Sequence, residues 1–341
     1  MLSVNCQGTP YEIGVQHGTA AKEHVARCID FYASLFQKTS KLDWSQVQEI
    51  ARSFSNHIEN AWPAYHEEMK GVATGSDRSI LDIVALNVRT EIAFGAFSDG
   101  CTSLAWNTEK RAYLGQNWDW MEEQKQNLIL VKITQKGKPS IQMITEAGII
   151  GKIGFNSSGV GVCLNAIRAK GMNPQRLPVH LGLRMALESQ SAKEAVHALE
   201  HWGMASPAHI LVADATDATG FEFTSTTIEK MVPDRKGRVV HSNHLLLNHP
   251  GVADTVWIKD SLFRVDRMAE LCDKLPSEPT WAEVSKLFED EANAPTAICR
   301  EQKGESTSAT LFNILMDLKQ KTGIVRMGRP TQVEETITLG F

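Results

Sequence analysis

The chain has 341 residues, 42% of them hydrophobic and 22% charged, with a net charge of −5; that is enough chain for a sizeable core, in one large domain or two smaller ones. The mild acidity, with no basic run and no Lys/Arg stripe interleaved with aromatics, excludes a nucleic-acid partner from the expectations, and no apolar stretch reaches the length of a membrane span. Six cysteines, at 6, 28, 101, 163, 272 and 299, are too scattered for a disulfide framework or a CxxC metal site, so a reducing, cytoplasmic location and no bound metal are expected.

From Pro10 to about Phe97 the periodicity is helical. PYEIGVQHGTAAKEHVARCIDFYASLFQ repeats apolar residues at three- and four-residue spacing, and Pro10 suits a helix start. Asp43 is placed to cap WSQVQEIARSFSNHIENAW, which ends near Pro63. YHEEMKGVA is a short third helix, and SILDIVALNVRTEIAFGAF a fourth that leads to Asp99-Gly100. After Cys101 the pattern turns strand-like: TSLAWN, AYLGQNW, NLILVKITQ and SIQMITEAG are short β-branched or aromatic runs separated by turn residues. IIGKIGFNSSGVGVCLNAI reads as two strands about a turn at Asn156-Ser157-Ser158-Gly159. Two helices follow, PVHLGLRMALES and SAKEAVHALEHWG, and then strands AHILVADA, GFEFTS, TIEKMVP and RVVHSNH. Helical segments at 258–273 and 281–290 precede SATLFNILMDL, GIVRMG and TITLGF. There is no internal repeat and no low-complexity linker. Hairpin-spaced strands, paired helices and strands again predict an α+β layered fold with mainly antiparallel sheets.

The junction SDGCTSLAWN places a Gly-Cys step where the helical part gives way to a strand. One role for Cys101 there is that of a buried small apolar group, the commonest fate of a free cysteine. The other is chemical. If the Cys101 thiol attacks the Gly100 carbonyl, the peptide becomes a thioester, and water then releases the first 100 residues. Cys101 is left with an α-amine of reference pKa about 7.7–8.0, beside a thiol of about 8.5, so the amine can serve as base for its own side chain. The other five cysteines lie in apolar periodic stretches and read as core.

Further polar groups carry two readings each. In GQNWDW, Asn117 and Asp119 share one side of an extended chain; Asp119 suits either a substrate-orienting carboxylate or a strand-end turn. In VHSNH, Asn243 has an amide able to donate to an oxyanion, while His241 and His244 face opposite sides of a strand and make a poor metal site. GFNSSGVGV lacks the spacing of a phosphate loop. Ser306-Thr307-Ser308 forms a hydroxyl-rich loop before a strong strand, either solvated or lining a pocket. The ends of the sequence, MLSVNCQGTP and TLGF, carry no secretory or peroxisomal pattern.

Nearly end to end, the segments CQGTPYEIGVQHG, LNVRTEIAFG, DGCTS, GQNWDW, TEAGIIGKIGFNSSGVGV, VHSNH, ICR, ATLFNI and GRPT resemble the acyl-coenzyme A:6-aminopenicillanic acid acyltransferases, also called isopenicillin N acyltransferases, which are N-terminal-nucleophile hydrolases of peptidase family C45. The resemblance implies a four-layer αββα sandwich, a single domain over 1–341, and autocatalytic cleavage between Gly100 and Cys101 into fragments 1–100 and 101–341 that stay associated. It implies that Cys101 is the nucleophile, Asp119 a site residue and Asn243 the oxyanion donor. Thr224 falls where penicillin-making relatives have a functional Ser, and Ser306 matches a Ser of the loop before ATLF. Those relatives carry an Arg where this chain has Thr307, which removes a bidentate partner for a carboxylate. The implied function is N-acyl transfer or amide hydrolysis through an acyl-cysteine, with a small-molecule amine or amide and acyl-coenzyme A as partners and no other cofactor. Two alternatives stand beside it: an amide hydrolase without acyl-coenzyme A activity, and an unprocessed, non-catalytic relative.

Overall fold

The computed structural model describes residues 1–93, 100–253, 256 and 258–341. In chain order its elements are β1 (Leu2–Gln7), α1 (Pro10–Ala20), α2 (Lys22–Thr39), α3 (Trp44–Ala61), α4 (Pro63–Ser76), α5 (Ile80–Asn87), α6 (Arg89–Ala93), β2 (Gly100–Asn107) and β3 (Ala112–Trp120). A 3₁₀ turn (Glu122–Asn127) leads to β4 (Leu128–Thr134), β5 (Ile141–Glu146), β6 (Ile153–Asn156), β7 (Gly161–Ala166), α7 (Val179–Leu187) and α8 (Ala192–Trp202). Then come β8 (Ala208–Ala213), β9 (Ala218–Phe223), β10 (Ile228–Met231), β11 (Arg238–His241), α9 (Asp260–Asp273), α10 (Trp281–Leu287), β12 (Ala309–Asp317), β13 (Thr322–Met327) and β14 (Glu335–Gly340).

The strands form two sheets. One runs β1-β4-β5-β6-β7-β8-β9-β10 and the other β11-β2-β3-β12-β13-β14; β1 with β4 is parallel and the other pairs are antiparallel. The sheets face each other through β2, β3 and β7. There Ser103 Oγ donates to Asn165 Oδ1 at 2.7 Å, and Leu164 N donates to the Gln116 side chain at 3.1 Å. Helices α1, α7 and α8 lie against the eight-stranded sheet, and α9 against β11 of the other. A second core, with Leu104, Trp106 and Tyr113 from the six-stranded sheet against Met268, Cys272, Val284 and Leu287 from α9 and α10, closes the opposite side. The result is the expected α+β sandwich in four layers.

Local sequence explains the helix starts. Capping boxes at Thr9/Glu12, Asp43/Gln46, Ser79/Asp82 and Thr280/Glu283 satisfy orphan backbone donors. Helices α1 and α4 approach backbone to backbone because each contributes a glycine pair one turn apart. A Cβ on Gly14 would sit 2.0 Å from Glu68 O, and one on Gly71 would sit 2.2 Å from Tyr11 O.

The elements depart from the sequence reading in several places. The first long helical stretch breaks at Ala21, whose backbone leaves helical geometry without a Gly or Pro to mark it. The short third helix extends over Pro63–Ser76, and the fourth splits into α5 and α6; the rest of that segment, including the Asp99 turn residue, lies outside the described residues. β1 was not expected, since its partner β4 is more than a hundred residues away. β11 ends at His241, so Asn243 and His244 stand on a loop and not in a strand. No helix among the described residues is long and apolar enough to cross a membrane.

Candidate active site

Strand β2 alternates between two environments. Cys101 and Ser103 point between the sheets, whereas Thr102, Leu104 and Trp106 face α9 and α10. Cys101 is fully buried. Its backbone N–H donates to Asn243 Oδ1 at 2.9 Å, and Asn243 Nδ2 lies 3.4 Å from Cys101 Sγ and 3.0 Å from the Ala166 carbonyl. The two ends of one amide thus meet the nitrogen and the sulfur of one cysteine.

Arg264 fixes that amide. Fully buried on α9, it donates to Asn243 Oδ1 (2.8 Å), Cys101 O (2.5 Å), Thr102 Oγ1 (3.0 Å) and Asp260 Oδ2 (2.8 Å). A guanidinium has only donors, so it holds the oxygen of Asn243 on its own side and leaves the NH₂ facing Sγ. Ser261 Oγ, three residues earlier, accepts from the Asn243 backbone N–H at 2.6 Å. Sequence reasoning missed both residues. Their one signal is that Ser261 and Arg264 occupy the buried stripe of α9 together with Met268 and Cys272, an unusual place for a hydroxyl and a cation.

Asp119 lies on the other face of the six-stranded sheet, not beside the thiol. It pairs across strands with Gly100, and a Cβ on Gly100 would stand 3.0 Å from the Asp119 Cβ and Oδ2. The close approach favours glycine there. Thr310 Oγ1 donates to Asp119 Oδ1 at 2.7 Å, and Arg300 Nε is 3.5 Å from Oδ2. Burial pushes the Asp119 carboxyl up to about 6 against the pull of Arg300 and Arg264. Burial and the neighbouring Arg264 push Arg300 below its usual value. Arg300 also pairs with Asp260 and donates to Ser306 Oγ at 3.3 Å. Two arginines and two aspartates therefore form a balanced cluster beneath the Gly100–Cys101 bond.

Ser306 thus joins the Asp119 cluster, while Thr307 is exposed. Thr224 is buried, but its hydroxyl serves a turn: it accepts from Thr226 N and Thr227 N and shares a hydrogen bond with Thr227 Oγ1 at 2.6 Å. The structure brings Cys101, Asn243 and Gly100 together with Asp119 and Ser306 in the adjoining cluster, and leaves Thr224 and Thr307 outside it. His244 Nδ1 meets Ser261 Oγ at 2.6 Å and His241 faces Glu222. Among the described residues no three His, Cys, Asp or Glu side chains converge to hold a metal ion.

Known proteins resemble this chain in sequence and in fold. The chain is 45% identical over its whole length to the acyl-coenzyme A:6-aminopenicillanic-acid-acyltransferase 40 kDa form of Emericella nidulans, covering 96% of that protein. It is 28% identical over 188 residues to the N-acylethanolamine-hydrolyzing acid amidase of Caenorhabditis elegans, half of this chain and 51% of that one. Among solved structures, penicillin V acylase from Agrobacterium tumefaciens superposes with a TM-score of 0.50 at 12% identity, covering 71% of this chain and 86% of that one. A mutant conjugated bile acid hydrolase from Clostridium perfringens gives 0.52 at 13% identity, covering 71% and 92%. At such identities the likeness is one of fold alone. The model of the acyl-coenzyme A:6-aminopenicillanic acid acyl-transferase family matches residues 106–332, and with the full-length relative it shows that this chain belongs to that family.

Proposed function

We propose that the chain is an N-acyltransferase with amidohydrolase capacity that carries an acyl group on Cys101 after cutting itself between Gly100 and Cys101. The observation that supports this best is the double contact of Asn243, whose oxygen takes the Cys101 N–H while its NH₂ faces the thiol. In self-processing, Sγ attacks the Gly100 carbonyl, the C–N bond breaks and the Cys101 nitrogen leaves as an amine. Water then hydrolyses the thioester, freeing the Gly100 carboxylate and the thiol. Asp119, against Gly100, is the group on the acyl side of that bond.

In turnover the α-amine takes the thiol proton and the thiolate attacks an acyl carbonyl. Asn243 Nδ2 donates to the oxyanion, where loss of one such donor typically costs roughly 10²–10³ in rate. With acyl-coenzyme A, the departing coenzyme thiolate takes a proton from the α-ammonium. The acceptor amine attacks the Cys101 thioester, gives its proton to the α-amine, and leaves as the amide; water in its place gives hydrolysis. Residues 1–100 have buried ties to the rest that support continued association after cleavage: β1 adds to β4, Arg89 pairs with Glu146 at 3.0 Å, and Arg184 grips Glu68 through two contacts of 2.7 Å.

The acceptor class is a small amine. For 6-aminopenicillanic acid, named in the family's description, Thr307 offers a hydroxyl in place of a guanidinium, and Arg300 is committed to Asp119 and Asp260. A second reading, an amide hydrolase that makes no use of acyl-coenzyme A, is favoured by the 28% identity to the acid amidase. Incubation with octanoyl-coenzyme A followed by intact mass analysis separates them: an octanoyl adduct on Cys101 that an added amine discharges supports transfer. Amide cleavage with no adduct supports hydrolysis, and an uncut, unreactive chain supports the non-catalytic alternative.

A further inference from the structure

Asn243 sits at the apex of a loop whose two feet converge on one buried carboxylate, Glu222 of β9. On the near side, His241 Nε2 is 2.9 Å from Glu222 Oε1, while His241 Nδ1 donates to the Ser242 carbonyl at 2.8 Å. On the far side, Leu246 N and Leu247 N donate to Oε1 and Oε2 at 2.6 and 3.0 Å, and His249 Nε2 lies 3.0 Å from Oε2. His249 Nδ1 is itself held by Thr227 Oγ1 at 2.7 Å. Burial pushes the Glu222 carboxyl up, but the hydrogen bonds and charge of His241 and the two backbone donors outweigh it, and the net shift is downward, toward the anion.

The same anchor reaches the nucleophile strand. The His209 ring stacks on His241 with centroids 3.5 Å apart and planes 12° apart. His209 Nδ1 and Ser103 Oγ share Asn165 Oδ1 at 2.9 and 2.7 Å. Ser103 is two residues beyond Cys101, on the same face of β2. The stack needs Gly220, where a Cβ would come 2.6 Å from His209 Nε2.

We propose that Glu222 is the positioning residue of the site: it touches neither Cys101 nor Asn243, yet it sets the amide of Asn243 against the thiol by holding the loop on both sides of it. This rests on the reading of Asn243 as oxyanion donor. A carboxylate is the side chain suited to the place, because each of its oxygens is met by two groups and every partner is a backbone N–H or an imidazole nitrogen. Glu222→Gln keeps the shape but turns an oxygen into NH₂, which then faces donors.

The test is a double-mutant cycle on the processed protein, with hydrolysis of p-nitrophenyl acetate as the turnover probe and a thermal melt for each variant. Glu222→Gln should fold, keep KM within about twofold and lower kcat by about tenfold to a hundredfold, short of the roughly 10²–10³ for removing an oxyanion donor outright. Combined with Asn243→Ala, it should add little. His249→Asn, which removes one donor only, should show a smaller loss of the same kind and serves if Glu222→Gln does not fold. A folded Glu222→Gln with unchanged kcat, or one that loses as much in the Asn243→Ala background as in the wild type, overturns the proposal. If Asn243→Ala itself keeps full kcat, it is the oxyanion reading that fails.

Discussion

Replacing Arg264 by Met keeps the length of the side chain and removes its fork. Four acceptors lose a donor: Cys101 O, Thr102 Oγ1, Asn243 Oδ1 and Asp260 Oδ2. Asn243 Oδ1 retains the Cys101 N–H, but Asp119 and Asp260 are left sharing Arg300 alone, so the lasting damage is an unbalanced buried charge. Removing one partner of a buried charged pair costs about 3–5 kcal/mol, which at roughly 2 °C per kcal/mol lowers the melting temperature by about 6–10 °C. The functional loss is separate. Without the guanidinium, the Asn243 amide is free to turn its oxygen toward Sγ, and turnover should fall toward the roughly 10²–10³ expected for a lost oxyanion donor. Arg264→Lys keeps the charge but is a single point donor, so it should retain much of the stability and little of the rate. Scanning calorimetry and kcat on the same samples measure both. An Arg264→Met protein that melts and turns over like the wild type refutes the account of this residue.

Asp119 supplies a pH signature. Burial raises its folded pKa to about 6 from the ordinary 3.8 of an aspartate, so the folded state holds this proton more tightly than the unfolded one. Its contribution is most favourable below pH 4 and is lost as pH rises through 6, by about 3 kcal/mol at 1.36 per unit. Asp119→Asn should flatten the melting temperature between pH 4 and 6, and an unchanged slope would place the titration elsewhere. Gly14→Ala forces a Cβ to within 2.0 Å of Glu68 O and should cost at least about 3 kcal/mol by parting α1 from α4, read as a drop of several degrees in the melt. Thr307→Arg should raise kcat/KM for 6-aminopenicillanic acid about tenfold to a hundredfold, since a charged hydrogen bond is worth roughly 1.5–3 kcal/mol and tenfold takes 1.4; acylation of Cys101 should not change, and a uniform change in both steps would locate the substitution elsewhere than the acceptor.

The parts of this molecule that sequence makes legible are those whose signal is local. The strand that opens at Gly100-Cys101, the helix capped by Asp43 and the hairpin at Asn156–Gly159 all declare themselves within a few residues. The site is different, because its geometry is made by distant partners. Cys101 in DGCTS and Asp119 in GQNWDW stand on paired strands, yet strand alternation sends their side chains to opposite faces of one sheet. Arg264 and Ser261 look like ordinary residues of an amphipathic helix until α9 is laid on β2. Glu222 reads as one polar position in GFEF, and only the fold brings two backbone N–H groups and two imidazoles to it. β1 was missed for the same reason: its one partner, β4, is remote in the chain and parallel to it.

The most direct test of the central claim is the intact mass of freshly purified protein under denaturing conditions, beside that of Cys101→Ala. Self-processing by Cys101 predicts two chains, residues 1–100 and a larger piece that begins Cys-Thr-Ser-Leu, from the wild type. From the variant it predicts one uncut chain of 37.7 kDa. A wild type that remains a single chain, or a Cys101→Ala variant cut as efficiently at the same bond, contradicts it.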